Sequence, residues 1–160
     1  MGEKIIERKN MRETKRIEEF HELAVEKIME RKGLPLIEKD ATIDRVLSVL
    51  TRKTHVWVIE SKGSKKIVGV VTEHDILNIL SPGGPRYVFG IPDMRTLHRG
   101  TVESIMHRGL VKCGPKTKIR EVLKIMFEHG VRRLPVTKNG NIIVGEIRLY
   151  HIIKGFSLHR

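Results

Sequence analysis

Apolar positions recur at helical spacing in two stretches. Ile43, Val46, Leu47 and Leu50 fall on one face, and so do Ile119, Val122, Leu123 and Met126. Each pattern predicts a helix with one buried side. Two runs rich in β-branched residues follow each helix and read as strands. The first pair is "HVWVIE" (55–60) and "KIVGVV" (66–71), joined by "SKGSK". The second is "RRLPVTK" (132–138) and "IIVGEI" (142–147), joined by "NGN". Asn-Gly between two strands is a hairpin turn signal, because both residues tolerate the positive φ such turns need. Pro135 has no N–H to give a ladder, so its strand is expected to be an edge or to break there. A short extended piece leads each group, "LPLIE" (34–38) and "LVKCG" (110–114), and a helix closes it, "EHDILNIL" (73–80) and "LYHIIKGF" (149–156).

The order β-α-β-β-α therefore occurs twice, and the residues repeat with it. "VEKIM" (25–29) returns as "VESIM" (102–106), "IDRVLSVL" (43–50) as "IREVLKIM" (119–126), and "IVGVV" (67–71) as "IVGEI" (143–147). Three matched blocks in one order indicate a tandem duplication of roughly 55 residues. One such unit is too small to bury a good core, so the two are expected to pack together. The predicted divisions are a charged helical segment 1–24, a first repeat 25–80, a loop 81–101 and a second repeat 102–160. Residues 11–31 read as a helix with a narrow apolar stripe of Ile17, Phe20, Ala24 and Ile28. The Gly/Pro-dense stretch 81–100 reads as a long loop, with Tyr87 and Phe89 expected to pack on something.

Composition narrows the class. The chain has 160 residues, 39% apolar and 31% charged, and no apolar run long enough to span a bilayer. The start, "MGEKIIERKN", lacks the apolar core of a signal peptide, and Cys113 is the one cysteine. A cytoplasmic protein without an internal disulfide is expected. The absence of Gln beside abundant Lys and Glu points to a thermophile. The net charge of +12 is concentrated in residues 102–160, which hold twelve Lys and Arg against four Glu. That excess fits a phosphate-bearing partner, either a small nucleotide or a nucleic acid. Aromatic residues are only 4% of the chain, which gives little surface for base stacking and favours the small ligand. The eight histidines show no metal-ligand spacing, and no carboxylate pair is placed for acid–base work. No enzyme activity is expected.

The stretch "GVVTEHD" (69–75) carries the candidate chemistry. Thr72 followed by Asp75 at the start of a helix is a capping box. The same geometry suits a ligand, since a helix N-terminus favours anions and a carboxylate accepts hydroxyls. Both readings stand on the residues alone, and a cap can also orient a clamp.

The duplicated order, "GVVTEHDIL" and "HGVRRLPVTKNGNIIVGEI" together resemble a pair of CBS domains, also called a Bateman module, over residues 25–156. The resemblance implies an α/β (α+β) fold of tandem β-α-β-β-α repeats packed as a pseudo-twofold pair, here behind an N-terminal helix. It implies a stand-alone regulatory module that binds AMP, ADP, ATP or S-adenosylmethionine, without catalysis, and that acts on a separate regulated protein by ligand-dependent rearrangement of its repeats. It also implies a homodimer. By the same resemblance Thr72 contacts the nucleotide and Asp75 the ribose, with Val71 and His74 beside them. Val111 is then an adenine contact, and Arg132 and Arg133 are phosphate ligands. The second copy reads "GEIRLYH", with Arg148 in the place of Thr and His151 in the place of Asp. Two bases cannot clamp a diol, so one nucleotide site per chain is expected, with the second cleft empty or holding an anion on Arg148 and His151. The alternatives are a nucleic-acid-associated basic protein and a structural interaction module without a ligand.

Overall fold

The computed structural model describes residues 1–82, 87–88, 91–92 and 99–159, with 87–88 and 91–92 as backbone alone. The fold is mixed α/β, and the predicted order appears in full in the first copy and without its leading strand in the second. The first copy runs β1 (Leu36–Glu38), α2 (Ile43–Leu50), β2 (His55–Ile59), β3 (Ile67–Thr72) and α3 (Glu73–Leu80). The second runs α4 (Ile119–His129), β6 (Arg133–Lys138), β7 (Ile142–Arg148) and α5 (Leu149–Leu158). The helix α1 (Gly2–His21) precedes both. In the stretch read as a loop, a small antiparallel ribbon pairs β4 (Tyr87–Val88) with β5 (Ile91–Pro92). The packing expected of Phe89 and of the Tyr87 ring lies outside the described residues.

The chain forms two compact units, and their boundaries are not those of the sequence repeats. One unit holds residues 1–32, 111–138 and 144–160; the other holds 33–110 and 139–143. "VEKIM" thus belongs with the second copy, and "VESIM" with the first. Each makes a single 3-10 turn and then crosses the last strand of the unit it joins. Val25 N–H donates to Thr117 O (2.8 Å), and Glu30 exchanges two bonds of 2.9 Å with Glu146. In the other unit Val102 N–H donates to Ala41 O (2.9 Å), and His107 exchanges bonds of 2.9 and 3.0 Å with Val70.

These crossings correct the reading of residues 11–31 as one helix. The helix begins earlier, at Gly2, and ends at His21, and Ala24 is already extended. Local spacing favoured more helix, but Leu23, Val25, Glu26 and Glu30 bond in backbone to residues 119, 117, 115 and 146 of the second copy instead. Of the expected stripe, Phe20 is buried and Ile28 packs on the core, while Ile17 is 41% exposed.

Both amphipathic helices bury the predicted face. Ile43 and Val46 are buried with Leu47 and Leu50 against them, and Ile119, Val122 and Met126 are buried with Leu123. The Asn-Gly turn forms as expected, with φ of 47° at Asn139 and 85° at Gly140. The hairpin tip then lengthens the first copy's sheet. Ile67 N–H donates to Asn141 O and Ile143 N–H to Lys65 O, each at 2.8 Å, and Ile143 packs with Trp57 and Ile67.

Pro135 lies inside a continuous β6, which is an edge of the two-stranded sheet it forms with β7, one of the two outcomes expected of its strand. Its effect falls on the neighbouring segment. In the first copy Trp57 N–H donates to Pro35 O (2.8 Å), and β1 pairs over three residues. Pro135 occupies the place of Trp57 and has no N–H to donate. What remains is one parallel bridge between Cys113 and Val136. Cys113 is buried there, and burial pushes its thiol up to about 12, so it stays protonated and unreactive.

Candidate functional site

The first copy's β3 runs into α3 at Thr72, which caps the helix. Asp75, on its first turn, has a buried carboxylate, only 7% exposed. Its Oδ2 accepts from the backbone N–H of Thr72 at 2.7 Å and from the Thr72 hydroxyl at 3.1 Å. The capping box therefore forms. Asp75 does more than cap, because its Oδ1 lies 2.5 Å from His107 Nε2. His107 arrives on the crossing segment, and its ring is 67% exposed. Thr54 O accepts the first N–H of the helix, from Glu73, at 3.4 Å. His55, opposite Thr72 in the β2–β3 ladder, is buried with its ring edge-on to Trp57.

Val71, Thr72, His74 and Asp75 are thus gathered where β3 meets α3, and His107 joins them. Val71 is wholly buried in the apolar core, so it can offer a ligand only its backbone. His74 is exposed. Val111, Arg132 and Arg133 belong to the other compact unit. Val111 packs on that unit's core. Arg132 is exposed, and its carbonyl accepts the Leu149 N–H at 2.8 Å, which ties it to the start of α5. Arg133 is half-buried and opens β6.

The second copy repeats this junction with its charges exchanged. His151 Nδ1 accepts the backbone N–H of Arg148 at 3.1 Å, as Asp75 does from Thr72. A guanidinium has no acceptor, so Arg148 cannot return the bond and only half of a capping box exists. Arg148 Nε is buried without a hydrogen bond, 3.5 Å from the buried Glu146 carboxylate. On the crossing segment Glu30 stands where His107 stands in the first copy, each bridged in backbone to the last strand of its sheet. Its carboxylate bends back onto the N–H groups of Arg31 and Lys32, at 3.2 Å each. This junction offers donors in place of the acidic acceptor.

Burial holds the His151 imidazole below its ordinary 6.5, with the Arg148 guanidinium adding to the effect; Glu146 and Glu30 oppose it. The folded state therefore favours neutral His151. As pH falls below 6.5 the unfolded chain takes up this proton first, and stability drops until the folded pKa is passed. Melting temperature is expected to fall between pH 7.5 and 5.5, and less steeply in His151→Asn, whose amide still accepts from Arg148. Equal slopes for the two proteins would exclude this role.

Sequence reasoning did not single out His107 or His55. His55 carries only the signal of a polar residue opening an apolar strand. For His107 the one signal is its place directly after "VESIM", which acquires meaning only once that segment is known to cross β3.

Residues 25–82 and 102–157 each match the CBS domain, and the chain belongs to that family. CBS-domain proteins are generally regulatory modules and not catalysts. Among solved structures, CBSX2 in complex with AMP is 19% identical, with a TM-score of 0.66 over 82% of this chain and 94% of that one. The CBS domain of a bacterial CNNM/CorC family Mg2+ transporter, in complex with ATP, is 24% identical, with a TM-score of 0.68 over 90% and 94% of the two chains. At these identities the likeness is one of fold. A homoserine O-acetyltransferase of Methanosphaera stadtmanae is 23% identical over 100 residues, which are 62% of this chain and 17% of that protein. Among the described residues, no helix is long and apolar enough to cross a membrane.

Proposed function

We propose that this chain is a regulatory module that binds an adenosine nucleotide at the β3–α3 junction and has no catalytic role. The observation that carries the proposal is the buried Asp75 carboxylate, held by Thr72 at the N-terminus of α3 within "GVVTEHD". A fixed carboxylate accepts the vicinal hydroxyls of a ribose, and the two CBS-domain structures with AMP and ATP support adenosine as the nucleoside. His74, Thr72 and the backbone of Val71 are its neighbours in the proposed site. The roles of Val111 toward adenine and of Arg132 and Arg133 toward phosphate come from the family resemblance and are part of the proposal. The Arg148–His151 junction lacks the carboxylate, so one nucleotide per chain is expected.

Ligand-linked stability tests this directly. A nucleotide that binds only the folded chain stabilises it by about 2.7 kcal/mol at a hundred times its Kd. Melting temperature is expected to rise with at least one of AMP, ADP, ATP, NAD and S-adenosylmethionine. No shift with all five would reject the reading and leave a structural interaction module.

The proposed module acts as a homodimer in the cytoplasm, on a regulated partner. Support for self-association comes from apolar side chains exposed at matching helix positions, Leu77 (57%) on α3 and Ile153 (61%) on α5. Light scattering should give twice the chain mass of 18.4 kDa. A single 18.4 kDa species with and without nucleotide would reject the dimer.

A further inference from the structure

We propose that His107 is a built-in competitor for the Asp75 carboxylate, so that a ligand grips Asp75 fully only after the imidazole has swung away. The proposal rests on the reading of Asp75 as a ribose acceptor and adds how that acceptor is controlled. A carboxylate has about four acceptor positions, two on each oxygen. Thr72 fills both positions of Oδ2 with its N–H and its hydroxyl. His107 takes one position of Oδ1 at 2.5 Å. One position is left, and a ribose diol needs two.

The parts of a switch are present in one unit. The backbone of His107 is pinned by its two bonds to Val70. Its ring is 67% exposed while its partner carboxylate is buried, so the ring can turn into solvent without disturbing the core. The contact is also not a requirement of the crossing. At the matching place in the other unit, Glu30 bridges Glu146 in backbone in the same way, yet its side chain bonds to Arg31 and Lys32. The crossing holds there without a hydrogen bond between Glu30 and His151. A bond that the architecture can do without, placed on the one buried carboxylate of the proposed site, acts as a stand-in for the ligand.

Titration calorimetry with AMP on the parent, His107→Ala and His107→Phe tests the proposal. The phenyl ring keeps the bulk and removes the bond. Both variants are expected to bind AMP about two- to fivefold more tightly, because AMP no longer displaces a hydrogen bond that solvent partly screens. The analogue lacking both ribose hydroxyls should show no gain. Affinity equal to the parent's, or weaker, in both variants would overturn the competitor and leave the nucleotide reading intact. If neither the parent nor either variant binds AMP, ADP or ATP, the ribose reading falls and the competitor falls with it. Binding by the variants alone would support both.

Discussion

Asp75→Asn is expected to bind AMP roughly tenfold to a hundredfold more weakly than the parent. The amide keeps the shape and still accepts from the Thr72 N–H, but it accepts from hydroxyls less strongly than a carboxylate. A hydrogen bond to a charged group contributes about 1.5–3 kcal/mol. The variant also releases His107, which offsets part of the loss and moves the expectation toward the tenfold end. The folded state should lose only about 0.3–1 kcal/mol, the size of one helix-end charge. The exposed His107 partner adds little to that figure, because solvent screens the pair. In the Asp75→Asn background, His107→Ala should bring no further gain in affinity, since no carboxylate is left to compete for. His151→Asn is the control and should bind AMP as the parent does. If Asp75→Asn binds as tightly as the parent while its melting temperature drops, then "TEHD" is a helix cap and nothing more.

The second large effect concerns stability. Gly69→Ala and Gly145→Ala should each cost about 1–3 kcal/mol, as overpacking a tight contact does. A Cβ at Gly69 would lie 2.6 Å from Met106 Sδ and 2.8 Å from the His107 carbonyl oxygen. At Gly145 it would lie 2.8 Å from the Glu30 carbonyl oxygen and 3.0 Å from Met29 Sδ. A methionine side chain can yield, but these carbonyls are bonded to Val70 and Glu146 and can move only by breaking the crossing. Each kcal/mol should lower the melting temperature by about 2–4 °C in a chain of this size. Gly109→Ala, where nothing lies within 4 Å, is the control, and it should change stability by less than about 0.5 kcal/mol. Equal melting temperatures for all three variants would mean that the crossing segments yield freely.

Much of the fold was legible because its signals are local. The helix faces of Ile43 and Ile119 follow from spacing alone, and the Asn139–Gly140 turn from the φ values those residues accept. The Thr72–Asp75 cap spans only three positions from donor to acceptor. Two features depend on partners distant in sequence. The leading helix stops at His21 because Leu23, Val25, Glu26 and Glu30 bond in backbone to residues 119, 117, 115 and 146. Pro135 stands on an edge strand, as expected, and what its own strand did not show is that it leaves the segment around Cys113 with a single bridge.

The sequence by itself determined that there are two copies of one β-α-β-β-α unit, that the first carries a carboxylate at its last helix start, and that the second carries His151 there. These are matters of residue identity and period, and no packing is needed to read them. Only the tertiary structure decided which segment completes which unit, and so which side chain meets Asp75. "VEKIM" and "VESIM" are nearly the same, and nothing within either says whether it stays with its own repeat or crosses to the other. The crossing puts His107 on Asp75, 32 residues away in sequence. A hydrogen bond of that reach depends on where two backbones are brought together, and composition and periodicity carry no record of it.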